Sequence, residues 1–407
     1  MRTWWCGRPG PRPTATKSAD LVSHETQSRF AAAISEHPVA AQAVGELAGA
    51  VLEQLEGRRP DLLVVFISPH FGGAAEDIGG VLRAVLEPRA LIGSTNHAVC
   101  GTGREVEGTP AISVWAGSFA STTVRTVRLD VDEFSDGSTL LGWPDGDSAD
   151  AHTLVLLTDP FSFPVDGVLR ALAVSHPGLQ AIGGMASAAN GPGVNRLLVD
   201  HEVAARGAVG VLLSGADPVT AVVSQGCRPV GQPFTVTAVD GHYLRELGGR
   251  PALERLQEIA ATMTEEERDQ LQRGLHVGLV VDEHLVEFGR GDFLIRTVMG
   301  ARSEDGALAV GAPIEVGHTL QFHVRDAVAA DADLRQMFVG HSARGALMFT
   351  CTGRGEHLFG VPNHDVGVVA DLLGPIPLAG GFCAGEIGPV GAANHVHTFT
   401  TSMALFG

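Results

Sequence analysis

Two stretches set the frame for the chain. DLLVVFISP (61–69) is a continuous apolar run, rich in β-branched residues, that ends at a polar residue and a proline. TLVLLTDP (153–160) has the same form. A short run without polar alternation reads as a strand covered on both faces, as in an α/β layer. Each run is followed by a helical stretch, about 74–87 and 165–175, and then by a further strand, RALIGST and LQAIGGM. Strand–helix–strand therefore occurs twice in the first half. The expected fold class is α/β (α+β-like): two α/β halves with mixed, partly antiparallel sheets covered by helices.

The remaining elements follow from periodicity and turn residues. Residues 28–57 read as mostly helical, with Pro38 at a first-turn position of a second helix. Val44, Leu47, Val51, Leu52 and Leu55 form its apolar stripe, and Gly57 ends it. ISVWAGSF and VRTVRLD read as an antiparallel hairpin. RLLVD, AVGVLLS, TAVVSQG and FTVTAV read as further strands. Residues 248–274 are the clearest helical stretch: Pro251 suits a first helical position, and Thr264 with Glu267 has the form of a capping box. Beyond it, strands are expected at HVGLVVD, DFLIRTVMG, TLQFHVRD, GALMFTCTG, IPLAGGFC and HVHTFTTSMALF, with helices at 327–339 and 364–373.

Composition excludes several classes. A net charge of −18 argues against a protein that binds nucleic acid by neutralising phosphates, and no Lys/Arg cluster offsets it. Lys17 is the only lysine. No apolar run reaches the roughly 20 residues of a membrane-spanning helix, so no membrane partner is expected. The first residues, MRTWWCGRPGPRPTATK, lack the apolar centre of a signal peptide, and residues 1–27 read as a disordered leader. Five widely spaced cysteines, an odd number, fit reduced thiols and a cytoplasmic setting.

Chemistry-bearing residues concentrate toward the C-terminus. In TLQFHVRD, Gln321, His323 and Arg325 share one strand face, which is either solvated or lines a pocket. His395 and His397 share another; H-x-H is a metal-ligand spacing, with Glu386 as a conceivable third ligand, but also an ordinary sheet pattern. No metal or cofactor is expected. Cys383 and Cys227 are the thiols to weigh as nucleophiles; Cys227 has Arg228 beside it, whereas Glu386 near Cys383 would not favour a thiolate. GxGxxG after the first strand, GxxxxGK[ST], HExxH and CxxC are absent. GHSARG (340–345) misses a nucleophile elbow because Arg344 occupies the second glycine position. Glycines follow several strands, at Gly93, Gly183-Gly184, Gly226, Gly353 and Gly385, where a ligand can approach the backbone or packing is tight.

Taken in order, LIGST…GTGREVE, DPFSFP, VSQGCRPVG, ELGGRPAL, GLVVDE, EFGRGDFLIR, HVRDA, GRGEHLFG, HDV and GEIGPVG…HTFTTSMALF resemble the FIST family over about residues 60–406. The resemblance implies a FIST N-terminal domain over 28–245 and a FIST C-terminal domain over 246–407. It implies a freestanding intracellular sensory module for a small ligand, amino acids being the suggested class, that serves a downstream signalling protein. It implies no catalytic residues. The sequence departs from the family pattern at Ser94, where a cysteine is usual, and at Ala393 and His395, where an arginine and an aromatic are usual; His397 is the family-like histidine. The expected ligand-binding residues are His323, Arg325, Arg354, Asp365, Cys383, Glu386 and His397. Arg325 or Arg354 suits a carboxylate, and Glu386 or Asp365 suits an ammonium. The alternatives are a cysteine-dependent hydrolase or transferase, and a protein-interaction scaffold.

Overall fold

In the computed structural model, which describes residues 27–134, 137–144, 150–217, 219–285, 287–289 and 291–407, the two apolar runs become buried strands with a parallel neighbour each. The proposed leader, Gln27 apart, lies outside the described residues. The chain is a mixed α/β fold of mixed sheets under helices, as the sequence predicts. Its finer organisation is a unit that occurs three times.

The first unit comprises β1 (Arg29–Ser35), α1 (Ala40–Gln54), β2 (Leu62–Ile67), α2 (Ala75–Leu86), β3 (Ala90–Thr95), a hairpin of β4 (Val99–Gly101) and β5 (Arg104–Val106), and β6 (Ile112–Ser118). The second comprises β7 (Thr122–Phe134), β8 (Gly137–Leu141), β9 (Ala151–Thr158), α3 (Val165–Ser175), β10 (Gln180–Met185), a hairpin of β11 (Leu197–Val199) and β12 (Glu202–Ala204), and β13 (Ala208–Gly215). The third opens with β14 (Val219–Gln225) and is interrupted by an insert. The insert holds β15 (Cys227–Asp240), β16 (Tyr243–Leu247), β17 (Arg250–Pro251), α4 (Ala252–Thr262), α5 (Glu265–Arg273), β18 (Leu275–Val280), β19 (Phe293–Arg302), β20 (Ala307–Val310) and β21 (Thr319–Arg325). The unit resumes with α6 (Ala327–Met337), β22 (Gly345–Cys351), α7 (Glu356–Phe359), α8 (His364–Leu373), β23 (Leu378–Cys383), a hairpin of β24 (Glu386–Val390) and β25 (Ala393–His397), and β26 (Thr400–Phe406).

The strand orders coincide. They run β1-β6-β2-β3, then β7-β13-β9-β10, then β14-β26-β22-β23, each with one parallel pair. Each sheet is completed by a hairpin from another unit: β11–β12 joins β3, β24–β25 joins β10, and β4–β5 joins β23. The exchange is cyclic, so no unit has a complete sheet alone. In each parallel pair one glycine stands at the same register, Gly93 opposite Val65, Gly183 opposite Leu156 and Gly380 opposite Met348. A Cβ at any of the three would run into the carbonyl oxygen of that partner.

The inner faces of the three sheets share one core that includes Phe30, Phe66, Trp115, Val155, Val211, Phe349 and Phe406. Trp115 stacks on Phe30 at 5.3 Å and lies 4.6 Å from Phe406. Helices cover the outer faces: α1 and α2 on the first sheet, α3 on the second, α6 and α8 on the third. The capping box at Thr264–Glu267 is present and starts α5.

Two expected elements are corrected. Residues 29–35 form β1 instead of a helix, because Arg29 to Ser35, with Ala31 to Ala33 among them, are held by seven register pairs with β6; tertiary pairing overrides alanine's helix propensity. ISVWAGSF and VRTVRLD do not form a hairpin. Both edges of β6 are occupied by β1 and β2, and β7 crosses to the next sheet to pair with β13 and β8.

Candidate functional site

The insert forms a sheet of its own, β15-β21-β18-β19-β20-β16-β17. One face packs under α4 and α5 through Phe322, Leu320 and Val324. Strand alternation puts Cys227, His276, Phe293, His323 and Arg325 on the opposite face. That face meets the body. His276 and Arg325 both pack on Phe399, at 4.4 and 3.8 Å from its ring centroid, and Thr398 Oγ1 donates to the Ile295 carbonyl at 3.0 Å. Of the row of Gln321, His323 and Arg325, which the sequence left open between solvent and a pocket wall, His323 and Arg325 face inward, while the part-exposed Gln321 donates to the Gly231 carbonyl at 2.7 Å. His323 is buried.

A cavity of about 350 Å³ lies along this seam. Phe288, Phe293, Pro229 and the His323 ring supply its apolar wall, and Cys227, Gln225 and Asp333 its polar side. Cavities of about 300–1,000 Å³ with mostly apolar walls and a few placed polar groups are the usual small-molecule sites. Asp333, on α6, accepts from Ser224 Oγ at 2.9 Å and from the Gln225 amide at 2.7 Å. The Gln225 side chain donates to the Phe293 carbonyl at 2.7 Å, which ties the body to the insert. Burial pushes the His323 imidazole down to about 4, while its Nδ1 lies 3.0 Å from the Gln321 carbonyl, so the ring is neutral at pH 7.

The cation in the lining, Arg228, is paired with Asp326 at 3.1 Å; Arg325 stands beside the cavity as the cross-strand partner of the lining Cys227. It is half-buried, and its buried Nε has no hydrogen-bond partner. His276 Nε2 is in the same condition. Burial, with the Arg325 charge beside it, holds the His276 imidazole down at about 4.

Arg354 and Asp365 are brought together, but with each other. Arg354 is fully buried and grips Asp365 with Nε at 2.7 Å and Nη2 at 2.8 Å. Asp365 also accepts from Thr350 at 3.0 Å, Thr401 at 3.1 Å and His364 Nδ1 at 2.9 Å. Burial alone would raise its carboxyl; the Arg354 guanidinium and His364 hold it well below the usual carboxylate range. Only Arg354 Nη1 is left without a partner.

Glu386 is likewise fully buried. Its Oε2 accepts from the Thr400 amide at 3.2 Å and Thr400 Oγ1 at 2.6 Å, while Oε1 has no partner. Burial raises its carboxyl to about 8, so it is mostly protonated at pH 7. Across the hairpin stands His397, whose Nε2 lies 3.0 Å from the Gly388 carbonyl and whose imidazole burial lowers to about 4. Burial pushes the Cys383 thiol far up, with Glu386 adding to it, and the Cys227 thiol up to about 12 despite Arg325 and Arg354 nearby. Neither is a thiolate at neutral pH. Among the described residues, no group of three or more His, Cys, Asp or Glu side chains is placed to hold a metal ion.

Of the expected residues, His323 lines the cavity and Arg325 stands beside it. Arg354, Asp365, Glu386, His397 and Cys383 lie in the buried layer of the third sheet and its exchanged hairpin. Sequence reasoning missed Gln225, His276, Asp333 and Phe399. The available signal was period two in HVGLVV, which places His276 opposite His323. Phe399 gave no such signal: its backbone is left-handed (φ 59°) without being glycine. The turns at Gly226 and Gly353 are glycine because a side chain there would strike Phe399.

Comparison with known proteins matches the FIST N domain over residues 61–250 and the FIST C domain over residues 252–389. A protein of Mycobacterium tuberculosis strain H37Rv, described as uncharacterized, is 44% identical over 385 residues, covering 93% of this chain and 99% of its own length. An uncharacterized protein of Mycobacterium bovis is 41% identical over 385 residues, covering 93% of this chain and 98% of its own. Domains of this kind are generally small-ligand sensory modules in signalling. Among the described residues, no helix is long and apolar enough to cross a membrane.

Proposed function

The chain belongs to the FIST family, and from that premise we propose that it is a cytoplasmic sensor of an amino-acid-like ligand, bound at the seam between the insert and the body and reported to a downstream signalling protein. The observation that carries this reading is the cavity of about 350 Å³ walled by the strand face that bears His323. Arg325, the cross-strand partner of Cys227, offers a guanidinium with an unpartnered N–H to a carboxylate. Asp333 supplies negative charge on the opposite side for an ammonium. Phe288 and Phe293 suit an apolar side chain. Because the seam joins two sheets, occupancy changes how they are held together, which is a route for a signal. The raised thiols of Cys227 and Cys383 speak against the cysteine-nucleophile alternative.

Titration calorimetry and thermal shift with the twenty amino acids test the proposal, with the matching amines and carboxylic acids as controls. At least one amino acid should raise the melting temperature, with a larger effect than either control; at one hundred times Kd the gain is about 2.7 kcal/mol. Cys227→Trp, which fills the cavity, should abolish it. A wild-type protein that responds to none, or a filled variant that responds equally, overturns the assignment.

A further inference from the structure

A second cavity, of about 500 Å³, lies away from the seam, where the three units meet. His97, Ser187 and Ala384 line it. Each stands four positions after the equivalent glycines Gly93, Gly183 and Gly380, just past the carboxyl ends of β3, β10 and β23. Pro160 and Thr352, just past the carboxyl ends of β9 and β22, line it too. In α/β sheets, ligands bind outside the carboxyl ends of parallel strands, where chain directions diverge. Here the strand ends of all three units open onto one space.

Its floor is preformed. The His97 amide donates to Ser187 Oγ at 2.8 Å, and Ser187 Oγ donates to the Phe382 carbonyl at 2.5 Å. Asn96 Nδ2 donates to the same carbonyl at 3.0 Å. The Ala384 amide donates to the Met185 carbonyl at 3.0 Å, and the Ser187 amide to that of Thr95 at 3.2 Å. Every unit is thereby bonded to the other two at this point.

The rim is unengaged. Among the described residues, the His97 imidazole, the Asn190 carboxamide and the Thr352 hydroxyl make no hydrogen bond. Phe161 leaves 44% of its surface open while lining the cavity. No Asp, Glu, Lys or Arg side chain lines it, so nothing there matches a phosphate, carboxylate or ammonium. What the lining offers is one aromatic face and uncharged groups that donate and accept.

We propose that the junction of the three units is a second binding site, which takes an uncharged planar heterocycle of the purine or pyrimidine type, stacked on Phe161 and read along its edge by Asn190, Thr352 and His97. Saturation-transfer NMR and titration calorimetry with adenine, cytosine and uracil test it, with benzoate as a charged aromatic control. At least one base should bind and benzoate should not. Phe161→Ala, an exposed position, should weaken binding roughly tenfold, the scale of one base–aromatic stack. Asn190→Leu should change the ranking among bases. Cys227→Trp at the seam should leave base binding intact. No binding of any base at millimolar concentration, unchanged affinity in Phe161→Ala, or loss in Cys227→Trp overturns the proposal; the last would move the base to the seam. Base binding is independent of the amino-acid response, so failure of one leaves the other standing.

Discussion

Two polar clusters, one around Asp365 and one around Arg325, differ in one respect. Around Asp365, almost every donor and acceptor is matched: a two-point Arg354 pair, two threonine hydroxyls and a histidine. At Arg325 and His276, which pack on Phe399, each residue retains a buried atom with no partner among the described residues. Buried polar groups are almost always satisfied, and unsatisfied ones mark strain, unseen water or a ligand. The first cluster is built for structure. The second has bonding capacity left over, and it is the one that borders the seam.

Breaking the satisfied cluster should have the largest effect. Arg354→Met leaves the Asp365 carboxylate buried beside no cation, which costs about 3–5 kcal/mol. Urea unfolding measures it. Asp365→Asn added to Arg354→Met should recover part of the loss, since the charge is gone while the threonine hydroxyls keep a partner. A loss under about 1 kcal/mol in the single variant would show that the pair is not a closed structural unit.

Glu386 should behave in the opposite sense. Its folded carboxyl titrates at about 8, against 4.5 when exposed. The folded state therefore holds a proton that the unfolded chain gives up, and the stability from this group is full below pH 4.5 and falls as pH rises through 8. Glu386→Gln keeps the Thr400 acceptor without that dependence. It should be more stable than wild type by roughly 3 kcal/mol at pH 7, with the difference vanishing near pH 4.5. His276, His323 and His397 act the other way. Held near 4 when folded and near 6.5 when exposed, they remove stability as pH falls through that window, in both proteins alike. Paired melting curves from pH 4.5 to 9 separate the contributions. A constant difference across that range would sink the assignment of a buried, proton-holding Glu386.

The contrast between the clusters was only half legible in the sequence. Apolar runs and turn residues identify the strands and helices that carry it, and strand alternation correctly puts His323 and Arg325 on one face. Alternation does not say which face meets a partner sheet. That depends on contacts such as Arg325 on Phe399, 74 residues apart in the chain. Nor does the sequence pair Arg354 with Asp365: both lie at turn or helix starts, and each alone reads as a free ligand contact. The threefold repetition was legible twice over, in DLLVVFISP and TLVLLTDP, but its third copy, GALMFTCTG, is separated from β14 by the insert. The cyclic hairpin exchange has no local signature, because β4, β11 and β24 are short strands that find partners in other units.

The smallest expected effect on stability is the one that sharpens the comparison most. Arg325 makes no salt bridge among the described residues, and its principal contact is the face of Phe399. Such a cation–π contact contributes about 0.5–1 kcal/mol at a partly exposed site. Arg325→Gln should therefore unfold within about 1 kcal/mol of wild type. If the guanidinium is the carboxylate anchor of the seam, the same substitution should weaken amino-acid binding by tenfold or more, since charge-assisted pairs are about twice as strong as neutral ones. Arg325→Lys, which keeps the charge but loses the planar fork, should fall between the two. A variant that unfolds easily and binds normally would exchange the roles of the two clusters: Arg325 would then be structural, and the ligand's carboxylate would have to meet Arg354 Nη1, the other buried guanidinium nitrogen without a partner among the described residues.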